Sequence, residues 1–154
     1  MSVSMPTAAE LLEGRRRVLV TGGGGFIGGA VVRRLLLESD ALVFNLDKMG
    51  YASDLTGIEA VLSEQGAAAT SRHQLLHVEL ADADAVQQAV QQADPDLVLH
   101  LAAESHVDRS ISGPGVFLES NVTGTYNLLQ AVRKHYEGLS GDRKERFRLH
   151  HIST

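Results

Sequence analysis

The chain has 154 residues, no cysteine, a formal net charge of -5, 44% apolar and 21% charged residues. That length suits one domain with a real core, and the absence of cysteine excludes disulfide and thiolate chemistry. No apolar run approaches the roughly 18 residues that span a bilayer, and an acidic balance gives no electrostatic footprint for nucleic acid, so neither is expected as a partner.

Residues 1–14 lack the basic start and apolar middle of a secretory signal, and are expected as an N-terminal extension or a short extra helix. The run Arg15, Arg16, Arg17 is expected as a solvated stretch before a buried strand. From there the chain alternates. "RVLVT" (17–21) is a β-branched run ended by glycine, a buried strand. Residues 26–39 form a helix, with Ile27, Val31 and Leu35 inward and Arg33 and Arg34 outward. "ALVFNLD" (41–47) is a second strand. Residues 54–66 read as a helix with Asp54 as cap and Gly66 as stop. "HQLLHVEL" (73–80) is a third strand. Residues 82–93 are a helix that opens with acids and that Pro95 forbids from continuing. "DLVLHLAA" (96–103) is a fourth strand, residues 115–138 a long helix in which Asn121 and Gly124 are interruptions, and "RFRLHHIST" (146–154) a fifth strand. Strands spaced by such helices imply βαβ units, hence an α/β, three-layer αβα architecture around a parallel sheet. Ligands of such sheets bind outside the carboxyl ends of the strands.

The first strand end carries "GGGGFIGG", six glycines within residues 22–29. Glycines leading from a strand into a helix let a dinucleotide pyrophosphate approach free helix N–H groups, so the sheet is expected to be Rossmann-like and doubly wound. Two registers are open: Gly23, Gly25, Gly28 and Gly22, Gly25, Gly28. A mononucleotide phosphate loop is excluded, because Gly28 is followed by Gly29 and Ala30 rather than Lys and Ser or Thr. Asp47 ends the second strand 19 residues after Gly28, close to the expected spacing of about 20. Its carboxylate can accept both hydroxyls of an adenine ribose and repel a 2′-phosphate, which favours NAD over NADP; the cation of Lys48 works against that repulsion. After the fourth strand, "HLAAESHVDRSISGPG" (100–115) pairs small residues with Glu104, Ser105, His106, Asp108 and Arg109 at the binding edge. A loop histidine bonded to backbone is as good a reading of His106 as catalysis. No metal is expected, since His150 and His151 point to opposite faces of a strand.

"TGGGGFIG", "LDKMGYASDL", "HLAAESHVDRSI", "NVTGTYNLLQAVR" and "FRLHHIST" together resemble the dTDP-glucose 4,6-dehydratase family, within the extended short-chain dehydrogenase/reductase superfamily. The resemblance selects the register Gly22, Gly25, Gly28 and implies NAD as cofactor. It implies that Phe26 and Ile27 contact the pyrophosphate, that Asp47, Lys48, Met49 and Gly50 surround the adenosine, and that Glu79 and Leu80 flank the adenine. Leu101, Ala102, Ala103, Glu104 and Ser105 would line the cofactor, Ser105 also touching the sugar nucleotide. Ser120 stands for a usual Thr beside the nicotinamide half. Thr154 matches a threonine that positions the hexose at its reacting hydroxyl. Gly24, Gly29 and Glu79 stand where Ala, Ser and Asp are usual.

The implied substrate is dTDP-glucose, the implied location cytoplasmic and the implied assembly a homodimer. The Asp-Glu pair and the Tyr-x-x-x-Lys of the family are not in the sequence. Residues 15–154 are therefore expected as an incomplete NAD-binding domain, truncated after the fifth strand, with the substrate-binding domain absent and negligible dehydratase activity. A stand-alone NAD-binding regulatory module and a sister epimerase or decarboxylase are the alternatives.

Overall fold

The computed structural model describes residues 5–105, 111 and 113–152. Helix α1 (Ala8–Leu12) precedes strand β1 (Arg17–Thr21). Helix α2 (Phe26–Glu38), strand β2 (Leu42–Asp47), helices α3 (Thr56–Gln65) and α4 (Ala67–Thr70) and strand β3 (His73–His77) follow. Helix α5 (Ala83–Ala93), strand β4 (Leu97–His100), helix α6 (Pro114–Phe117), a π-helical segment Leu118–Thr123, helix α7 (Gly124–Gly138), helix α8 (Gly141–Arg146) and strand β5 (Arg148–His151) complete the order.

The strands pair in parallel in the order β3-β2-β1-β4-β5. Alternation of side chains along the central strands divides the core in two. Leu19, Phe44, Leu46 and Val98 face α5 and α7, packing on Val86, Val90, Leu128 and Val132. Val18, Val20 and Val43 face α1, α2 and α3, packing on Leu12, Val32, Leu36 and Ile58. This is the expected α/β/α sandwich, and the order reverses between β1 and β4, so the ligand crevice belongs beside the ends of β1, β2 and β4.

Several local expectations are corrected. The buried stripe of α2 is Gly28, Gly29, Val32, Leu35 and Leu36; of the expected Ile27, Val31 and Leu35, Leu35 is buried, Val31 is half-buried against the core and Ile27 is 62% exposed, as Phe26 is 97%. These two lie in the first turn of α2, beside the glycine turn rather than over the sheet. The helix expected from residue 54 starts at Thr56, where Asp54 accepts the Thr56 N–H at 2.8 Å, while Gly66 ends it at φ +71°. The third strand stops at His77 and leaves Glu79 and Leu80 in the following turn. The arginine run is not simply solvated. Arg17 donates to the carbonyls of Ala93 and Asp94 at the end of α5 and stacks over Phe44, and Arg15 donates to the carbonyl of Arg146. Cations at helix ends satisfy carbonyls that have no partner within the helix.

One buried polar group joins three elements. The His100 ring is 2% exposed, with Nδ1 2.6 Å from Thr21 Oγ1 on β1 and Nε2 3.0 Å from Thr125 Oγ1 on α7. Thr21 Oγ1 also accepts the N–H of Ala102 at 3.2 Å, so this chain of bonds sets the backbone that follows β4. Burial lowers the His100 pKa to about 4, and the His151 ring, edge-on at 4.7 Å, pushes it the same way. Burial also lowers the pKa of His73.

Two measurements check this packing. Leu19 is fully buried, and Leu19→Ala is expected to lower stability to urea by about 2–5 kcal/mol through loss of transfer energy and the cavity left behind. The His100 pKa is depressed in the folded state, so the unfolded chain takes up its proton first as pH falls. Stability is full above the unfolded value near 6.5 and is lost between pH 6.5 and 4. Urea unfolding at pH 7 and 4.5 is expected to show a drop about 2 kcal/mol larger in the wild type than in His100→Gln.

Candidate functional site

The parallel strands bring the loops after β1, β2, β3 and β4 to one edge, where they line an open cleft of about 140 Å³. The glycine turn forms its floor. Gly22 has φ +75°, and a Cβ there would stand 2.7 Å from the Cα of Ala102, so only a bare backbone lets the β1 and β4 loops meet. A Cβ on Gly28 would run into the Gly22 carbonyl oxygen. Gly25, whose N–H donates to that carbonyl at 3.0 Å, is the residue before α2 and supplies no side-chain cap. The first N–H groups of a 13-residue helix are thereby left for a ligand. Gly23, the first glycine of the other register, is equally constrained. A Cβ there would collide with the Asn45 side chain, a fully buried amide whose Nδ2 and Oδ1 have no hydrogen-bond partner among the described residues. Both glycine registers therefore contain sterically required positions.

Asp47 is 7% exposed at the end of β2. Its Oδ2 accepts the Gly24 N–H at 2.8 Å, and its Oδ1 accepts the Met49 N–H at 2.8 Å and the Ser53 hydroxyl at 2.7 Å. Met49 itself takes φ +54°, a left-handed conformation rare for such a residue. A carboxylate offers about four acceptor positions, so one remains on Oδ2.

Lys48 crosses the mouth of the cleft. Its Nζ lies 2.6 Å from Glu104 Oε1, 3.6 Å from Glu79 Oε2 and 3.4 Å from Ser120 Oγ. Burial alone would lower the Lys48 pKa, but Glu104 and Glu79 outweigh it and hold the ammonium above its ordinary value. Glu104 is fixed from behind: its N–H donates to Asn121 Oδ1 at 2.8 Å, and its carbonyl accepts from Asn121 Nδ2 at 3.0 Å. Asn121 sits in the π-helical segment, a distortion that often marks functional sites. The interruption expected at Asn121 is thus a clamp. Gly124 lets α7 approach β3, since a Cβ there would stand 2.8 Å from the Leu80 Cβ.

Most residues singled out from the sequence meet in this cleft. Gly22, Gly25, Asp47, Lys48 and Gly50 line one side, and Glu79 and Leu80 the far end. Leu101, Ala102, Ala103, Glu104, Ser105 and Ser120 line the other side. Gly28 shapes the floor without lining it. Met49 contributes its N–H to Asp47, and its side chain is not part of the lining. Phe26 and Ile27 do not line the cleft and stand exposed at the head of α2. Thr154, and with it His106, Asp108 and Arg109, lies outside the described residues. Tyr51, Ala52, Ser53 and Val78 line the cleft without having been anticipated. Of these, Ser53 had a usable signal, a hydroxyl six residues after Asp47 in a loop that must return to it.

Among the described residues no helix is long and apolar enough to cross a membrane. Residues 19–154 match the family model described as GDP-mannose 4,6 dehydratase. The chain is 44% identical to the dTDP-glucose 4,6-dehydratase of Salmonella typhimurium and 46% identical to that of Shigella flexneri, in each case over 90% of this chain and 37% of the relative. It therefore spans little more than a third of the length of these curated relatives. Among solved structures it is similar to DesIV, the dTDP-glucose 4,6-dehydratase from Streptomyces venezuelae with NAD and TYD bound. That match has a TM-score of 0.66 and 38% identity, and covers 77% of this chain and 36% of that one. It is also similar to the Thermus thermophilus UDP-glucose 4-epimerase in complex with NAD (TM-score 0.63, 32% identity, 77% of this chain and 34% of that one). A match over residues 19–154, on a Rossmann-like sheet whose glycine turn and strand-end acid meet in one cleft, places the chain in the GDP-mannose 4,6-dehydratase family.

Proposed function

We propose that this chain is the NAD-binding part of a dTDP-glucose 4,6-dehydratase, an enzyme that converts dTDP-glucose to dTDP-4-keto-6-deoxyglucose and water. The observation that carries the cofactor reading is the bare-backbone floor at Gly22 and Gly28, with the uncapped head of α2 on one side and the buried Asp47 carboxylate on the other. A floor that any Cβ would fill fits a pyrophosphate, and the helix head offers it N–H donors and the positive end of the dipole. The relatives named for this activity support the substrate reading, as does the DesIV structure described with NAD bound.

In this reading the backbone from Gly25 to Gly28 holds the pyrophosphate. Asp47 receives one ribose hydroxyl at its open Oδ2 position, and a second by displacing the Ser53 hydroxyl. Leu80 and Glu79 bound the adenine end, and Ala102 and Ala103 give a flat wall. Ser105 and Ser120 stand at the nicotinamide half, and Thr154 positions the hexose. When bound, NAD supplies a reversible acceptor for the hydride of the sugar C4. The chain's own residues bind and orient; they do not move the reaction's protons. None of Tyr51, Tyr126 and Tyr136 is followed by a lysine four residues on, so no tyrosine–lysine pair is present to act as base.

Fluorescence titration with NADH tests this. The 154-residue chain is expected to bind NADH, Gly28→Ala and Asp47→Ala each weakening it by about tenfold or more, roughly the 1.4 kcal/mol of one good contact. The wild type is expected to show no turnover of dTDP-glucose. Failure to bind NADH, or unchanged affinity in both variants, would contradict the cofactor reading.

A further inference from the structure

Three carboxylates, Asp47, Glu79 and Glu104, and one ammonium, Lys48, face the cleft among the described residues that line it. Lys48 directly follows the strand-end acid that meets the adenosine ribose in the NAD reading above, on which this inference rests. A lysine or arginine beside that acid is the group that could neutralise the 2′-phosphate of NADP. Taken from sequence alone, Lys48 therefore weakens the preference for NAD.

The geometry reverses that conclusion. The Lys48 ammonium is held at 2.6 Å by Glu104 and at 3.6 Å by Glu79. The Glu104 backbone is anchored by the reciprocal pair of hydrogen bonds to Asn121, which keeps the residue in the cleft wall opposite Lys48. The Glu104 side chain is 12% exposed, so its charge is little screened and would be costly to leave unpaired. We propose that Glu104, seconded by Glu79, is a specificity-determining residue: it sequesters Lys48 across the cleft mouth and so makes the site selective for a cofactor with a free 2′-hydroxyl. A 2′-phosphate, carrying close to two negative charges, meets an acid cluster whose one cation is already engaged.

The test compares NADH and NADPH by equilibrium fluorescence titration in wild type, Glu104→Gln and the double variant Glu104→Gln with Lys48→Met. The double variant has the same formal cleft charge as the wild type, which separates release of Lys48 from simple loss of negative charge. NADH binding in each protein shows that its site is folded. Glu104→Gln is expected to lower the NADPH:NADH ratio of dissociation constants by about fivefold, close to the ~1 kcal/mol of a half-exposed ion pair. The double variant is expected to return to the wild-type ratio. A ratio unchanged in Glu104→Gln while NADH still binds would overturn the inference, as would a gain that persists without Lys48. A wild-type chain that binds neither dinucleotide would overturn the NAD reading and this inference with it.

Discussion

A buried carboxylate needs hydrogen-bond donors, and Asp47 takes its donors from two loops. Gly24 comes from the turn after β1, and Met49 and Ser53 from the turn after β2. Once the three are drawn to one side chain, the glycine turn is tethered over the end of β2, Gly22 is pressed against Ala102, and Gly28 is pressed against Gly22. The cleft is the space these contacts leave. Charge-assisted hydrogen bonds of this kind contribute about 1.5–3 kcal/mol each.

The two ends of the sheet divide the work. At the amino ends of the strands, Asp96 accepts the N–H groups of Arg16 and Arg17 and the Arg143 guanidinium, while Arg143 also reaches Asp94. Burial would raise the Asp96 carboxyl, but these donors hold it below its usual value. These bonds fasten β1, β4 and α8 together. At the carboxyl ends Lys48 and Glu104 line the cleft and pair across it at 2.6 Å. At the same carboxyl ends the His100 relay fixes where the chain leaves β4.

Much of this could be read in the residues. The strands, the helices over 26–39 and 82–93, and the glycine–acid spacing follow from periodicity and turn chemistry, and the cleft residues follow from placing those turns at strand ends. Short helices escaped. "AAAT" and "GDRKER" are too short or too charged to show a buried stripe. The α2 stripe was misjudged by one position, because close approach to β1 demands glycine where periodicity asks for a large apolar residue. The Asn121 clamp and the His100 relay join residues 17 to 79 positions apart, and no local pattern announces them. The pairing of Lys48 with Glu79 and Glu104 was not legible either, since these partners come from two other loops.

A crystal structure of the chain soaked with NAD addresses the dependence on Asp47 and the glycine turn most directly. The pyrophosphate is expected on the N–H groups at the head of α2. The adenine ribose is expected on Asp47 with Ser53 displaced, and Lys48 still paired with Glu104. A nucleotide seated elsewhere, or a ribose that leaves the Asp47 bonds to Gly24, Met49 and Ser53 untouched and makes none of its own, would contradict the role given to that carboxylate.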